Sequence, residues 1–269
     1  MSWHNVIGLF AHPDDETIMA GGTLAMLHER GVRTHLVSAT RGEGGEAGEP
    51  PVVEDRRQLG MVREAELRCA AAALGVTSLT FLDYIDPAIG PDEQLTAFEA
   101  DFEALVARLA RLIAAKAADL VISHGPDGEY GHPAHQLMFA AAQAAVARSG
   151  DHLLHYSVAP RLPGVDDRLW NQSRTAHLAL DITPWAEAKV AAMECHVSQH
   201  ALFKRRRQLQ TVREAVRLIE PFYREHPPVD GAAPDDWFAA LLRAAGALDI
   251  AAATLVSDFP LPKDEDPAT

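Results

Sequence analysis

Residues 6–39, VIGLFAHPDDETIMAGGTLAMLHERGVRTHLVSA, decide the fold. Val6–Phe10 is a short apolar run of the kind that reads as a strand buried on both faces. Thr17–Arg30 reads as a helix closed by Gly31, because glycine readily takes the left-handed backbone that ends a helix. Thr34–Ala39 is a second strand. Strand, helix, strand in this order is a βαβ unit, which implies a parallel sheet covered by helices.

The alternation continues along the chain. Glu54–Leu74 reads as a helix closed by Gly75, Leu79–Leu82 as a third strand, Leu95–Ala118 as a long helix and Leu120–Ser123 as a fourth strand. Pro133–Arg148 is an Ala-rich helix, Leu153–Val158 a fifth strand and His177–Ile182 a sixth. The expected fold class is α/β, with a Rossmann-like, mostly parallel sheet and helices on both faces. After residue 183 the pattern turns polar and helical through Trp185–Leu218, with a basic run Lys204-Arg205-Arg206-Arg207 that reads as a solvated helix face. A further helix is expected near Asp235–Ala245. We therefore expect one domain over 1–262, made of a core over 4–200 and a helical C-terminal elaboration over 201–262, followed by an acidic tail at 263–269.

Composition narrows the function classes. The chain has 269 residues, a size at which one core needs no covalent staple. Its 24 Lys and Arg against 38 Asp and Glu give a net charge of −14, which argues against nucleic acid or an anionic membrane as partner. No run approaches the ~18 apolar residues of a membrane span, and the N-terminus lacks the basic region of a signal peptide. Cys69 and Cys195 lie far apart and form no C-x-x-C pair, so two unpaired thiols in a reducing, cytoplasmic compartment are expected.

Ligands of open α/β sheets bind beyond the carboxyl ends of the strands, so the loops after strands one, two and four carry the chemical interest. The first is Ala11-His12-Pro13-Asp14-Asp15-Glu16. His12 and Asp15 are three apart across a tight turn and offer the imidazole nitrogen and carboxylate oxygen that a divalent ion such as zinc accepts. Asp14 would then stand beside the metal as a general base for its water. The competing reading makes Asp14 or Asp15 a helix N-cap. The loop after strand four, HGPDGEYGHPAH (124–135), places His132 and His135 three apart at a helix start, on one face. A His and an Asp from one strand end with a His from another supply three ligands and leave a fourth position open, as in catalytic zinc sites. The Gly-rich loop TRGEGGEAG (40–48) offers Glu43 and Glu46 to a polar substrate.

AHPDDE, TRGEGGEAG and HGPDGEYGHPAH, together with VREAELRCAAAALGV (62–76) and KVAAMECHVSQ (189–199), resemble the LmbE/PIG-L family of zinc-dependent de-N-acetylases over roughly residues 4–200. The resemblance implies His12, Asp15 and His135 as metal ligands, Asp14 as general base, and His132 as the group that stabilises the oxyanion or protonates the departing amine. It implies substrate contacts from Arg63, with Arg56 and Arg57 as competitors, and places His196 and Gln199 near the active site. It also implies a small N-acetylated sugar conjugate as substrate, zinc or another divalent ion such as iron as cofactor, and self-association. One position departs from the family's HPDH: the chain has Ala134 where an acid would polarise the first histidine, and Asp127 or Glu129 are the nearby carboxylates that could replace it.

The expected function is hydrolytic removal of an N-acetyl group from an N-acetylglucosamine-type conjugate. The alternatives are an amidase cleaving a larger acyl group and a non-catalytic metal-binding relative. A nucleotide-binding module fits poorly, because the first turn lacks G-x-G-x-x-G and crowds carboxylates where a pyrophosphate would lie. Aromatic residues, 6% of the chain, are too few to suggest an extended sugar-stacking platform.

Overall fold

The computed structural model describes residues 4–250 apart from 91–93, 166, 206–207 and 230–232, so the expected acidic tail at 263–269 lies outside the described residues. The first four strands are β1 (Asn5–Phe10), β2 (Arg33–Thr40), β3 (Ser78–Tyr84) and β4 (Leu120–Ser123), and β5 spans Leu154–Val158. Strands β6 (Pro160–Arg161) and β7 (Asn171–Thr175) form a small separate sheet. Strands β8 (Leu178–Asp181), β9 (Ile219–His226) and β10 (Leu248–Asp249) complete an eight-stranded sheet in the order β10-β8-β9-β5-β4-β1-β2-β3. The half from β5 to β3 is parallel, and β9, β8 and β10 extend it antiparallel.

Alternation along the parallel strands builds two cores. Val6 and Phe10 of β1, Leu36 of β2, and Leu120 and Ile122 of β4 face helices α1 (Asp15–Glu29), α2 (Leu59–Ala73), α6 (Ala186–Cys195) and α8 (Trp237–Ala244). Ile7, Leu9, Val37 and Val121 face the other way, against α3 (Phe102–Ala115) and α5 (Pro133–Ser149). This is the expected three-layer α/β arrangement. From β1 the chain runs outward to β2 and β3, then returns so that β4 pairs with the opposite side of β1. The carboxyl ends of β1 and β4 therefore flank a topological switch point, the place where open α/β sheets hold ligands.

Three expectations are corrected. The C-terminal part is not simply helical. Among the described residues of Trp185–Leu218 only α6 and the short α7 (His200–Arg205) are α-helical, and the following IEPFYREH becomes β9, in the sheet between β5 and β8. Charged residues hid this strand from the sequence pattern, because they are buried with partners. Glu220 accepts hydrogen bonds from Gly22 N (2.8 Å), Thr23 N (2.7 Å) and Thr23 Oγ1 (2.6 Å), and faces Lys189 Nζ at 2.7 Å. The long helix expected from Leu95 starts at Phe102, where the Asp101 side chain accepts from Ala104 N and fixes the N-terminus. In the basic run, Arg205 is solvent-exposed, as expected of a solvated face, and pairs there with Glu46 and, at 2.8 Å, with Glu49.

The cysteines are the third correction. Packing of α2 on α6 joins Cys69 to Cys195 in a disulfide across 126 residues of sequence. The case for a reducing compartment built on two free thiols loses that support. A crosslink closing so long a loop restricts the unfolded chain. Cys69→Ser is expected to cost about 2–4 kcal/mol of stability, measured by urea unfolding, and reductant should shift the wild-type transition toward that of the variant. Among the described residues, no helix is long and apolar enough to cross a membrane.

Candidate metal centre

The loop after β1 turns directly into α1, and its geometry releases both aspartates from helix capping. Asp14 is the N-cap residue but makes no side-chain cap bond, and its backbone is left-handed at φ 109°. Asp15 turns back instead, its Oδ2 accepting from His12 N at 2.8 Å. On the other side of the switch point, α4 (Gly128–Gly131) is a single kinked turn leading to His132, the N-cap of α5, with Pro133 following it. His12, His132 and His135 come together there with every side chain buried, and Asp15, His124 and His135 form an overlapping cluster.

Hydrogen bonds set how each ring is turned. His124 is fully committed: its Nε2 accepts from Ala11 N at 3.0 Å and its Nδ1 meets Glu129 Oε2 at 3.0 Å. His132 spends Nδ1 on Ala134 N at 3.2 Å. His135 places Nδ1 on Glu129 Oε2 at 2.6 Å and turns Nε2 to His12 Nδ1. His12 Nε2 lies 3.2 Å from Asp86 Oδ1 without a hydrogen bond between them. The facing atoms converge: His12 Nδ1 and His135 Nε2 are hydrogen-bonded at 3.2 Å, Asp15 Oδ1 lies 3.3 Å from His135 Nε2, and Asp15 Oδ2, which also accepts from His12 N, lies 3.4 Å from His12 Nδ1. Ligands held about 2.0–2.2 Å from a tetrahedral centre stand about 3.3–3.6 Å apart. The facing atoms of the three expected ligands stand 3.2–3.4 Å apart, with Asp15 offering a different oxygen to each histidine.

The electrostatics ask for a cation. Burial opposes charge on His12, yet Asp15 and Asp86 push it up to about 9. Asp15 is held well below the usual carboxylate range, His135 and His124 outweighing its burial. The carboxylates draw protons onto the imidazoles, a role that a divalent ion takes over when it occupies the same space. Burial pushes the Asp14 carboxyl up to about 6 against the pull of Arg63, into a range suited to proton transfer near neutrality.

Burial, with His135 and His12 adding to it, pushes His132 down to about 3. Its Nδ1 accepts the Ala134 N–H, which leaves Nε2 to carry a ring proton. Neither carboxylate suggested as a replacement for the absent acid touches it. Asp127 accepts from Ser173 N at 2.7 Å, and Glu129 bonds His124 and His135. The Ala134 methyl is buried in the core beneath α5.

The residues expected to contact substrate are held differently. Arg63 is buried; it donates to Pro13 O at 2.5 Å and Gly42 O at 3.1 Å and lies 3.5 Å from Asp14 Oδ2. It braces two loops behind Asp14. Gly42 and Gly45 make room for it, since a Cβ on either would come within 2.2 and 2.3 Å of Arg63 Nη1. Arg56 donates to Gly44 O and Gly45 O, and Arg57 pairs with Asp55 in solvent. Glu43 accepts from Arg41 N and from Asp86 N, joining the Gly-rich loop to the loop after β3. His196 is wholly buried behind the first turn of α1, 3.4 Å from Thr17 Oγ1. Ser198 bonds Glu66 of α2 through both N and Oγ at 2.7 Å, and Gln199 donates to Glu46 O. These residues tie the loops together around the site. Asp86 was missed: it is one acid after β3, and only the sheet order brings it to His12.

The chain is similar in sequence and fold to known proteins. The family described as GlcNAc-PI de-N-acetylase (PIG-L) matches residues 7–146. The 1D-myo-inositol 2-acetamido-2-deoxy-alpha-D-glucopyranoside deacetylase of Mycobacterium sp. (strain KMS) is 35% identical over 231 residues, covering 70% of this chain and 72% of that protein. Two solved structures share the fold. N,N'-diacetylchitobiose deacetylase from Pyrococcus horikoshii has a TM-score of 0.59 at 21% identity, covering 82% of this chain and 84% of that one. The 4-carboxy-2-hydroxymuconate hydratase of Pseudomonas putida has a TM-score of 0.57 at 24% identity, covering 86% and 98%.

Proposed function

Because the chain belongs to the PIG-L family of GlcNAc-PI de-N-acetylases, we propose that it is a zinc-dependent de-N-acetylase whose substrate is a small N-acetylglucosaminyl conjugate. The observation that carries this reading is the meeting of His12 Nδ1, His135 Nε2 and the Asp15 carboxylate within 3.2–3.4 Å of one another, beside an Asp14 carboxylate that caps no helix. These three residues would hold the ion. Iron or another divalent ion suits the same donors. When bound, the cation polarises the acetamido carbonyl and acidifies water at neutral pH.

The chain's own residues do the rest. Asp14 takes the proton of the attacking water as its oxygen joins the carbonyl carbon. Arg63, behind Asp14, stabilises its charged form and holds the loop in place. His132 donates Nε2–H to the developing oxyanion. Asp14 returns the proton it took to the nitrogen as the C–N bond breaks, releasing acetate and a free amine. The relative from Mycobacterium carries a glucosaminyl substrate in its name, which supports the substrate class proposed for this chain.

The test is a panel of N-acyl glucosaminyl conjugates assayed for acetate and for amine, with and without a chelator. We expect amine release with equimolar acetate from the N-acetyl members, lost on chelation and restored by Zn²⁺. Preferential release of a longer acid would assign the chain to the amidases. Stoichiometric metal without amine release from any member would make it a metal-binding relative and overturn the catalytic reading.

A further inference from the structure

Glu129 is placed in a way that the metal ligands alone do not explain. Its backbone is left-handed, φ 59° and ψ −80°, inside the kinked turn before His132. A side chain with a Cβ holds that conformation at a cost, and keeps it where surrounding bonds impose it. The carboxylate is fully buried and saturated. Oε2 receives His124 Nδ1 at 3.0 Å and His135 Nδ1 at 2.6 Å, while Oε1 receives Gly125 N at 3.0 Å and Asn171 Nδ2 at 3.1 Å. The two imidazoles that share Oε2 are stacked, with ring centroids 3.9 Å apart. The far nitrogen of His124 accepts from Ala11 N, the residue just before His12. One continuous chain of bonds therefore runs from the backbone at the end of β1, through His124 and Glu129, to the His135 ring.

We infer that Glu129 and His124 are positioning residues that set His135 against the loop carrying His12 and Asp15. Glu129 fixes the proton of His135 on Nδ1 and so aims the Nε2 lone pair at the space between His12 and Asp15. His124 fixes how far the Glu129 carboxylate stands from the end of β1. The carboxylate that position 134 lacks is supplied one turn earlier, and it acts on the other histidine of the pair. A carboxylate behind a ligating imidazole orients the ring and raises its basicity, and losing one typically costs 10–100-fold in metal affinity. This inference rests on the metal reading proposed above.

Glu129→Gln tests it. An amide can accept at only one of its two heavy atoms, so two of the four donors lose their partner. Zinc affinity, measured by chelator competition at a temperature where circular dichroism shows both proteins folded, is expected to fall 10–100-fold. The d–d bands of the Co²⁺-substituted variant should shift. In the zinc-loaded wild type, ¹⁵N-histidine NMR should show His135 bound through Nε2 with a slowly exchanging Nδ1–H. That measurement needs no variant to fold. Coordination of His135 through Nδ1, or wild-type zinc affinity and an unshifted Co²⁺ spectrum in Glu129→Gln, would overturn the positioning role alone. A wild-type chain that takes up no stoichiometric metal would instead overturn the metal reading beneath it.

Discussion

Asp14→Asn is expected to lower turnover by about 10²–10⁴-fold, the usual worth of a positioned general base, while metal content stays at the wild-type level. Asp14 stands next to Asp15 in sequence, but the two carboxylates serve different ends. Asp15 faces His12 and His135, and Asp14 faces Arg63. The substitution also suits the backbone, because Asn tolerates the left-handed region better than most residues, and φ at Asp14 is 109°. Steady-state kinetics on the best glucosaminyl substrate, with metal content measured on the same preparations, gives the answer. Turnover at the wild-type rate would remove Asp14 as the base.

The second large effect is at His132. Its replacement by Ala should lower kcat by about 10²–10³-fold, the cost of removing one oxyanion donor. His132→Gln keeps an N–H donor but cannot act as an acid near neutrality, so it should recover part of the activity that Ala loses. A Gln variant as inactive as Ala would mean that proton donation from His132 is required.

The legible part of the molecule was its local part. Short apolar runs alternating with helical spacing gave the parallel strands β1 to β5, and the rule that chemistry lies beyond strand ends led to His12, Asp14, Asp15, His132 and His135 before any geometry was known. What stayed hidden depended on partners far away in sequence. IEPFYREH carries too many charges to look like a buried strand until Lys189 and Glu220 are seen paired inside the core. Cys69 and Cys195 looked unrelated because only the packing of α2 against α6 joins them. Arg63 could not be separated from Arg56 and Arg57 by spacing, yet only Arg63 reaches Asp14. Glu129 lay in the right motif, but its left-handed backbone turns it toward His135 instead of His132, and nothing in the residue type announces that turn.

The most direct measurement is an anomalous difference map at the zinc absorption edge, from crystals of the zinc-loaded protein. The account predicts one strong peak per chain, about 2.0–2.2 Å from His12 Nδ1, an Asp15 carboxylate oxygen and His135 Nε2. A peak bound instead to His124, or no peak within reach of those three residues, would contradict it.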